Sequence, residues 1–289
     1  EYRVDGGSFQ NGTSVSVPAP ADHSNDGVHT VDYRSTDVAG NLEALRTTTV
    51  RIDTTVPTTI DNAPAGWRNS AVSVTLTPND ALSGIDSTEY RVDGGSFQNG
   101  TSVSVPAPAD HSNDGAHTVE YRSTDVAGNV EALRTATVRV DTTLPTGSID
   151  SPGNLAHVNG IVDVSALAAD TASGIAAVEF RVRPNGSGSF STLSTDSSAP
   201  FQASWDSTSA PEGNTELQIL VTDNAANVLT AGIVTVVVDN PPAVSLVDPG
   251  ANVAGTVNLE ATSSPDTNLV VFEHSPQGAG TWTVIATDL

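Results

Sequence analysis

The chain has 289 residues, 37% hydrophobic and 4% aromatic, and its 34 acidic side chains outnumber 11 basic ones to leave a formal charge of −23. All 11 basic residues are Arg, and the absence of Cys excludes disulfides, thiol nucleophiles, iron–sulfur clusters and Cys-ligated zinc. Such a surface repels nucleic acid and anionic membranes and attracts cations, and no apolar run approaches the roughly 18–20 residues that cross a bilayer.

Self-similarity sets the organisation. Residues 1–58, opening Glu1-Tyr2-Arg3-Val4-Asp5-Gly6-Gly7, recur at 89–146, opening Glu89-Tyr90-Arg91-Val92-Asp93-Gly94-Gly95, a period of 89 − 1 = 88 residues. Six of the 58 pairs differ: Val28/Ala116, Asp32/Glu120, Leu42/Val130, Thr48/Ala136, Ile52/Val140 and Val56/Leu144. A period this long suits a small autonomous domain better than a solenoid repeat of about 20–50 residues. Boundaries are expected at Asp53-Thr54-Thr55-Val56-Pro57 and Asp141-Thr142-Thr143-Leu144-Pro145, with a looser copy at Asp239-Asn240-Pro241-Pro242. The expected modules are 1–57 (partial, N-terminal strands missing), 58–145 (complete), 146–241 (divergent) and 242–289 (partial, C-terminal strands missing).

Taken in chain order from the complete module, the apolar residues alternate with period two. Val72, Val74 and Leu76 form one run, then Tyr90 and Val92, Val103 and Val105, Val119 and Tyr121, and Val138 and Val140. Half-buried antiparallel strands follow, with Asp93-Gly94 as a type I′ hairpin signal and proline confined to loops and boundaries. The divergent module continues with Val162-Val164-Ala166, Val178-Phe180-Val182, Leu217-Ile219-Val221 and Ile233 to Val238. The last piece restarts with Val244-Leu246, Val257-Leu259-Ala261 and Val270-Phe272. No segment has helical spacing. About seven short strands per module predict an all-β chain of tandem immunoglobulin-like antiparallel β-sandwiches joined by short Asp-Thr-Thr-x-Pro linkers.

The stretches EYRVDGGSF, HTVEYRSTDVAGNVEALRTATVRVDTTLPT, GWRNSAVSVTLTPNDALSGI and SPGNLAHVNGIVDVSALAADTASGIAAVEFRV resemble bacterial immunoglobulin-like (fibronectin type III-like) repeats. That resemblance implies tandem modules of a large secreted or surface-anchored protein. An extracellular or cell-surface location follows, as adhesin, stalk or spacer beside a catalytic domain. Some bacterial surface domains are locked by Lys–Asn isopeptide bonds, a device excluded here because the chain has no Lys.

Three motifs carry candidate chemistry. Asp-x-x-x-Asn ends the sixth strand at Asp37/Asn41, Asp125/Asn129 and Asp223/Asn227. Asp80-Ala81-Leu82-Ser83-Gly84 and Asp170-Thr171-Ala172-Ser173-Gly174 follow the second strand, with Asp266 in a comparable place. The linkers supply Asp53, Asp141 and Asp239. In this topology the loops after strands two and six share one end with the entering linker. Asp53 should therefore approach Asp80, Asp125 and Asn129, Asp141 should approach Asp170, Asp223 and Asn227, and Asp239 with Asp266 would begin a third set. Converging oxygens are what calcium needs, six to eight hard ligands completed by carbonyls and water. Ordinary turn chemistry is the alternative, since Asp and Asn cap backbone N–H groups and Gly supplies positive φ.

Other candidates are weaker. His23, His29, His111, His117, His157 and His274 form no close ligand pair; His117 begins a strand and is expected to shield an edge. Tyr33 and Tyr121 are expected as core tyrosines whose hydroxyls bond nearby backbone. Trp205 is expected in the core. No nucleophile elbow is present, aromatics for sugar stacking are few, and three Asn-x-Ser/Thr sequons fit chance in a chain of this composition. The predicted role is a non-catalytic extracellular structural or adhesive array, extending a tip or anchor from a bacterial surface or filament. Ligand-binding modules for a glycan or protein, using the loops Gln98 to Thr101 and Pro106 to Gly115, are the alternative, as is an accessory spacer of a secreted multidomain enzyme. Partners would be neighbouring modules, host or cell-surface glycans or proteins, or like chains in a filament.

Overall fold

Alternation of Val and Leu with Ser and Thr becomes two sheets in residues 58–145. The computed structural model describes residues 1–247, 258–263, 267–275 and 281–288. Strands Thr58–Asp61, Val72–Asn79 and Ser102–Val105 form a three-stranded antiparallel sheet. The facing sheet runs Trp67–Arg68, Arg134–Val140, Gly115–Asp125, Ile85–Val92, Gln98–Asn99. One apolar face of each closes the core: Val72, Val74, Leu76, Val103 and Val105 pack on Val119, Tyr121, Val138 and Val140, all 8% exposed or less. At about 1.5–3 kcal/mol per fully buried aliphatic side chain, this face-to-face burial dominates the stability of the sandwich.

The hairpin after Ile85–Val92 turns at Asp93 (φ 51°) and Gly94 (φ 71°), both left-handed as a type I′ turn requires. A buried polar thread crosses between the sheets. Glu131, 5% exposed, accepts from the Thr59 N–H (3.1 Å), the Thr59 hydroxyl and the Ser123 N–H (2.9 Å), and pairs with Arg134.

Residues 1–57 hold a single three-stranded sheet, Tyr2–Val4, Gly27–Tyr33 and Arg46–Ile52, in the same register as its counterpart, Val31 facing Val4 and Thr48. Here Tyr33 is 41% exposed and Val50 37%, against 2% for Tyr121 and 0% for Val138. Tyr33 is thus exposed where a core tyrosine was expected, and among the described residues no second sheet lies over it.

The described residues divide into two compact units. One contains 1–145 with 170–176 and 222–228; the other contains 146–169, 177–221 and the described part of 229–289. In the second, Thr146–Ser151, Ile161–Ala169 and Phe201–Asp206 form one sheet. A second sheet orders His157–Val158, Val234–Val238, Gly213–Asp223, Ile175–Pro184 and Ser191–Asp196. Trp205 is 5% exposed, as expected of a core residue. Gly147 marks a close approach, for a Cβ there would stand 2.6 Å from Val221 Cγ2 and 3.2 Å from the Leu167 carbonyl. Further on, Val244–Leu246 pairs with Ala261–Ser263, and Val270–His274 with Thr283–Asp288. Val257, expected in a strand, lies outside the described residues. The one helical element among the described residues is a single 3₁₀ turn, Ser207–Ser209, capped by Asp206.

Candidate metal centre

Each Asp of the first set is fixed by backbone donors from its own turn. Asp80 leaves the strand Val72–Asn79, and its Oδ2 accepts from the N–H of Leu82 (3.1 Å) and Gly84 (2.7 Å). Asp125 ends Gly115–Asp125, its Oδ1 accepting from the Asn129 N–H (2.8 Å) and its Oδ2 from Asn129 Nδ2 (2.8 Å). The turn needs a left-handed residue, and Gly128 supplies it at φ 92°. Asp53 follows Arg46–Ile52; its Oδ1 accepts from the Thr55 N–H (3.0 Å) and its Oδ2 from the Ser83 N–H (2.9 Å). Asn129 Nδ2 also donates to the Asp53 carbonyl at 3.0 Å, tying linker to turn. One oxygen from each of Asp53, Asp80 and Asp125 lies within 4.8 Å of the others.

The second set repeats this wiring. Asp170 Oδ2 accepts from Ala172 (3.0 Å) and Gly174 (2.7 Å) N–H groups. Asp141 Oδ1 accepts from Thr143 (3.1 Å) and Oδ2 from Ser173 (3.0 Å). Asp223 takes the Asn227 N–H (2.8 Å) on Oδ1 and Asn227 Nδ2 (2.7 Å) on Oδ2, and the same amide reaches the Asp141 carbonyl at 2.9 Å. Here Ala226 holds the left-handed position, at φ 70°, that Gly128 holds in the first set. Asp141, Asp170 and Asp223 again bring one oxygen each within 4.8 Å. Asp125, Asp141 and Asp223 are 1%, 0% and 1% exposed.

Turn chemistry accounts for several oxygens of each set but not for the convergence of three carboxylates. Two unit charges 4–5 Å apart repel by about 3–4 kcal/mol at an effective dielectric near 20. No arginine ion pair among the described residues reaches any of the six. Asp170 Oδ1 is buried without a hydrogen-bond partner, as is Ser173 Oγ beside it. An all-oxygen set with spare lone pairs fits a hard divalent cation such as calcium. Asp53, Asp80 and Asp125, or Asp141, Asp170 and Asp223, would hold it, with Asn129 and Asn227 positioning the carboxylates through their amide N–H groups.

Asp37 and Asn41 form the same turn, the Asn41 N–H lying 2.8 Å from Asp37 Oδ1 and its Nδ2 2.7 Å from Oδ2. Asp239 Oδ2 stands 3.3 Å from His157 Nδ1, and Asp266, expected beside it, lies outside the described residues.

Two expectations are corrected. His117 lies on Gly115–Asp125, a central strand rather than an edge, and it clamps a turn. Its Nδ1 is 2.8 Å from Asp93 Oδ2 and its Nε2 2.9 Å from the Asn113 carbonyl. Burial works to lower its pKa, but these two acceptors outweigh it and the net shift is upward, because an imidazole between two acceptors satisfies both by holding two protons. His29 repeats the clamp on Asp5 and Asn25, and is likewise raised by the Asp5 hydrogen bond. Second, the Tyr121 hydroxyl donates not to nearby backbone but to the Asp61 carboxylate, at 2.6 Å. The sequence motifs also passed over Glu131. A Glu two residues after the Asp-x-x-x-Asn turn, in place of an apolar residue, is its only local signal.

Comparison with known proteins agrees with the resemblance to bacterial immunoglobulin-like repeats. Residues 145–219 match the bacterial Ig domain family. No curated protein sequence matches the chain. Among solved structures, the fibronectin(III)-like modules of Clostridium thermocellum CbhA are 18% identical, covering 63% of this chain and 95% of theirs at a TM-score of 0.39. The three N-terminal domains of the bacteriophage RB49 highly immunogenic outer capsid protein are 9% identical, covering 83% and 87% at 0.49. The D00–D0 domain of intimin is 16% identical, covering 62% and 100% at 0.32. Among the described residues no helix is long and apolar enough to cross a membrane.

Proposed function

We propose that the chain is a non-catalytic extracellular array of immunoglobulin-like modules with a structural or adhesive role, extending a tip or anchor from a bacterial surface or filament, and that calcium cements its Asp-lined turns. The observation that supports this is repetition. The same three carboxylates, the same Asn amide and the same backbone donors recur at Asp53/Asp80/Asp125 and at Asp141/Asp170/Asp223. In each set the linker Asp reaches the loop after one strand and the turn after another. A bound cation converts mutual repulsion among carboxylates into cohesion, so it acts as a cross-link between segments far apart in sequence. The side chains most perturbed elsewhere serve packing and turns, as His117 and Tyr121 do, which is what a load-carrying array requires. Thermal unfolding of the whole chain in saturating calcium and in excess chelator tests the proposal. A rise of several degrees with calcium, with about two ions bound by calorimetry, is expected. Superimposable curves and no heat of binding would sink it.

A further inference from the structure

The sandwiches of residues 58–145 and 146–241 differ at one matched place. Gly115–Asp125 and Gly213–Asp223 have the same length and the same register on the strand that follows, His117 facing Val138 where Thr215 faces Val236. Thr215 therefore holds the position of His117. Gly84 and Gly174 are matched too, since their carbonyls accept from the N–H groups of Val126 and Asn224; nine residues on from each, Arg183 holds the position of Asp93. Pro211 precedes Thr215 by four residues, as Asn113 precedes His117. The residues after them act alike, Asp114 accepting from the Thr142 N–H and Glu212 from the Asn240 N–H.

In residues 58–145 an imidazole fills this end of the sandwich. The His117 side chain is 12% exposed, with Nδ1 on Asp93 and Nε2 on the Asn113 carbonyl. Where Thr215 stands instead, a cleft of about 210 Å³ opens, walled by Val182, Trp205 and Pro211 and lined also by Arg183 and Ser209. Thr215 is 2% exposed, and its Oγ1 is buried without a hydrogen-bond partner. A buried hydroxyl left unmet is costly, so this one is open to a ligand that satisfies it. Arg183 does not take the place of the ring. Its Nε donates to Glu216 Oε2 at 2.5 Å, and its guanidinium stacks on Phe190 at 4.3 Å. Apolar walls around a few fixed polar groups are the make-up of a small-ligand site.

We propose that this cleft binds an imidazole-class ring, a planar nitrogen heteroaromatic carried on a small molecule or on a histidine side chain of another polypeptide. The ring would lie among Val182, Trp205 and Pro211, with one nitrogen toward Thr215 Oγ1 and the other toward the Pro211 carbonyl, as His117 Nε2 meets the Asn113 carbonyl. None of Asp141, Asp170 and Asp223 lines the cleft, so the proposal stands apart from calcium binding.

The test uses the whole chain, isotope-labelled for NMR and titrated with imidazole. Saturable shifts are expected at Val182, Trp205 and Thr215 and none at Val92 or His117, with a Kd on the order of 1 mM for a ligand of so few atoms. Thr215→Val keeps the shape of the side chain and removes the hydroxyl. It should weaken binding about threefold or more without lowering the melting temperature, since the hydroxyl has no partner to lose. Thr215→His writes the ring of the other sandwich into the cleft and should abolish binding. A Gly-His-Gly peptide that binds as tightly as imidazole would make the source a polypeptide side chain; binding of imidazole alone would make it a small molecule. No saturable shifts at Val182, Trp205 and Thr215, or undiminished binding by either variant, would overturn the proposal.

Discussion

Tyr121 donates its hydroxyl to Asp61 at 2.6 Å across the two sheets of the sandwich, linking residues 60 apart in sequence. Burial first, and the Asp61 carboxylate second, push the Tyr121 pKa up to about 12. Its exposed counterpart Tyr33 has no such partner among the described hydrogen bonds. Tyr121→Phe should therefore destabilise the chain by about 0.5–1.5 kcal/mol, the net worth of one hydrogen bond whose acceptor, Asp61, is exposed and can be rehydrated, while Tyr33→Phe should change little. A raised tyrosine pKa favours the folded state up to the unfolded value near 10, and that contribution is lost as pH climbs through about 12. Denaturant unfolding of both variants, with an ultraviolet titration of the parent, checks the asymmetry.

The His117–Asp93 clamp predicts an acid-side optimum. His117 is raised, so its contribution is complete below about pH 6.5 and is lost as pH rises through the folded value. Burial tends to raise Asp93, but the His117 hydrogen bond and the Thr118 N–H prevail and lower it. Its contribution is present above about pH 3.9 and is lost as pH falls through the lowered value. The pair therefore stabilises most between about pH 4 and 6.5. His117→Gln should lower the unfolding midpoint more at pH 5 than at pH 8, and an equal penalty at both would refute the clamp.

Calcium stoichiometry should track individual carboxylates. Asp80→Asn should reduce binding from two ions to one, and Asp170→Asn should do the same at the other set. Asn227→Ala, which frees Asp223 and the Asp141 carbonyl from their shared donor, should weaken the second site while leaving the first intact. Titration calorimetry of the three variants separates ligands from positioning residues.

Phe97 sits over two guanidiniums, 4.6 Å from Arg91 Cζ and 5.2 Å from Arg122 Cζ. Those arginines pair with Glu120 and Glu89 across the strands. Phe9 repeats the arrangement with Arg3 and Arg34, and Phe190 stacks on Arg183. Each contact is worth about 0.5–1 kcal/mol at a partly exposed site. A double-mutant cycle of Phe97→Leu with Arg91→Met should return a coupling of that size, and zero coupling would reduce the stack to mere proximity.

Strand positions, the Asp93-Gly94 turn and the grouping of Asp53 with Asp80 and Asp125 were all legible because their signals are local or repeated. Alternation reports which side of a strand is buried, and the repeat fixes which loops correspond. What stayed hidden lies between sheets. The partner of Tyr121, the Thr59–Glu131 bond and the role of His117 depend on segments brought together by topology, and no spacing rule pairs residue 59 with residue 131.

The order of events as the sandwich folds follows from which pairings are local. Gly115–Asp125 pairs with the next strand along the chain, Arg134–Val140, whereas Ser102–Val105 pairs with Val72–Asn79, from which Ile85–Val92 separates it in sequence. Closing the shorter loop costs less entropy, so the nucleus is expected in Gly115–Asp125 with Arg134–Val140, and Ser102–Val105 condenses late. Substitutions such as Val119→Ala should slow folding, and Val103→Ala should mainly speed unfolding.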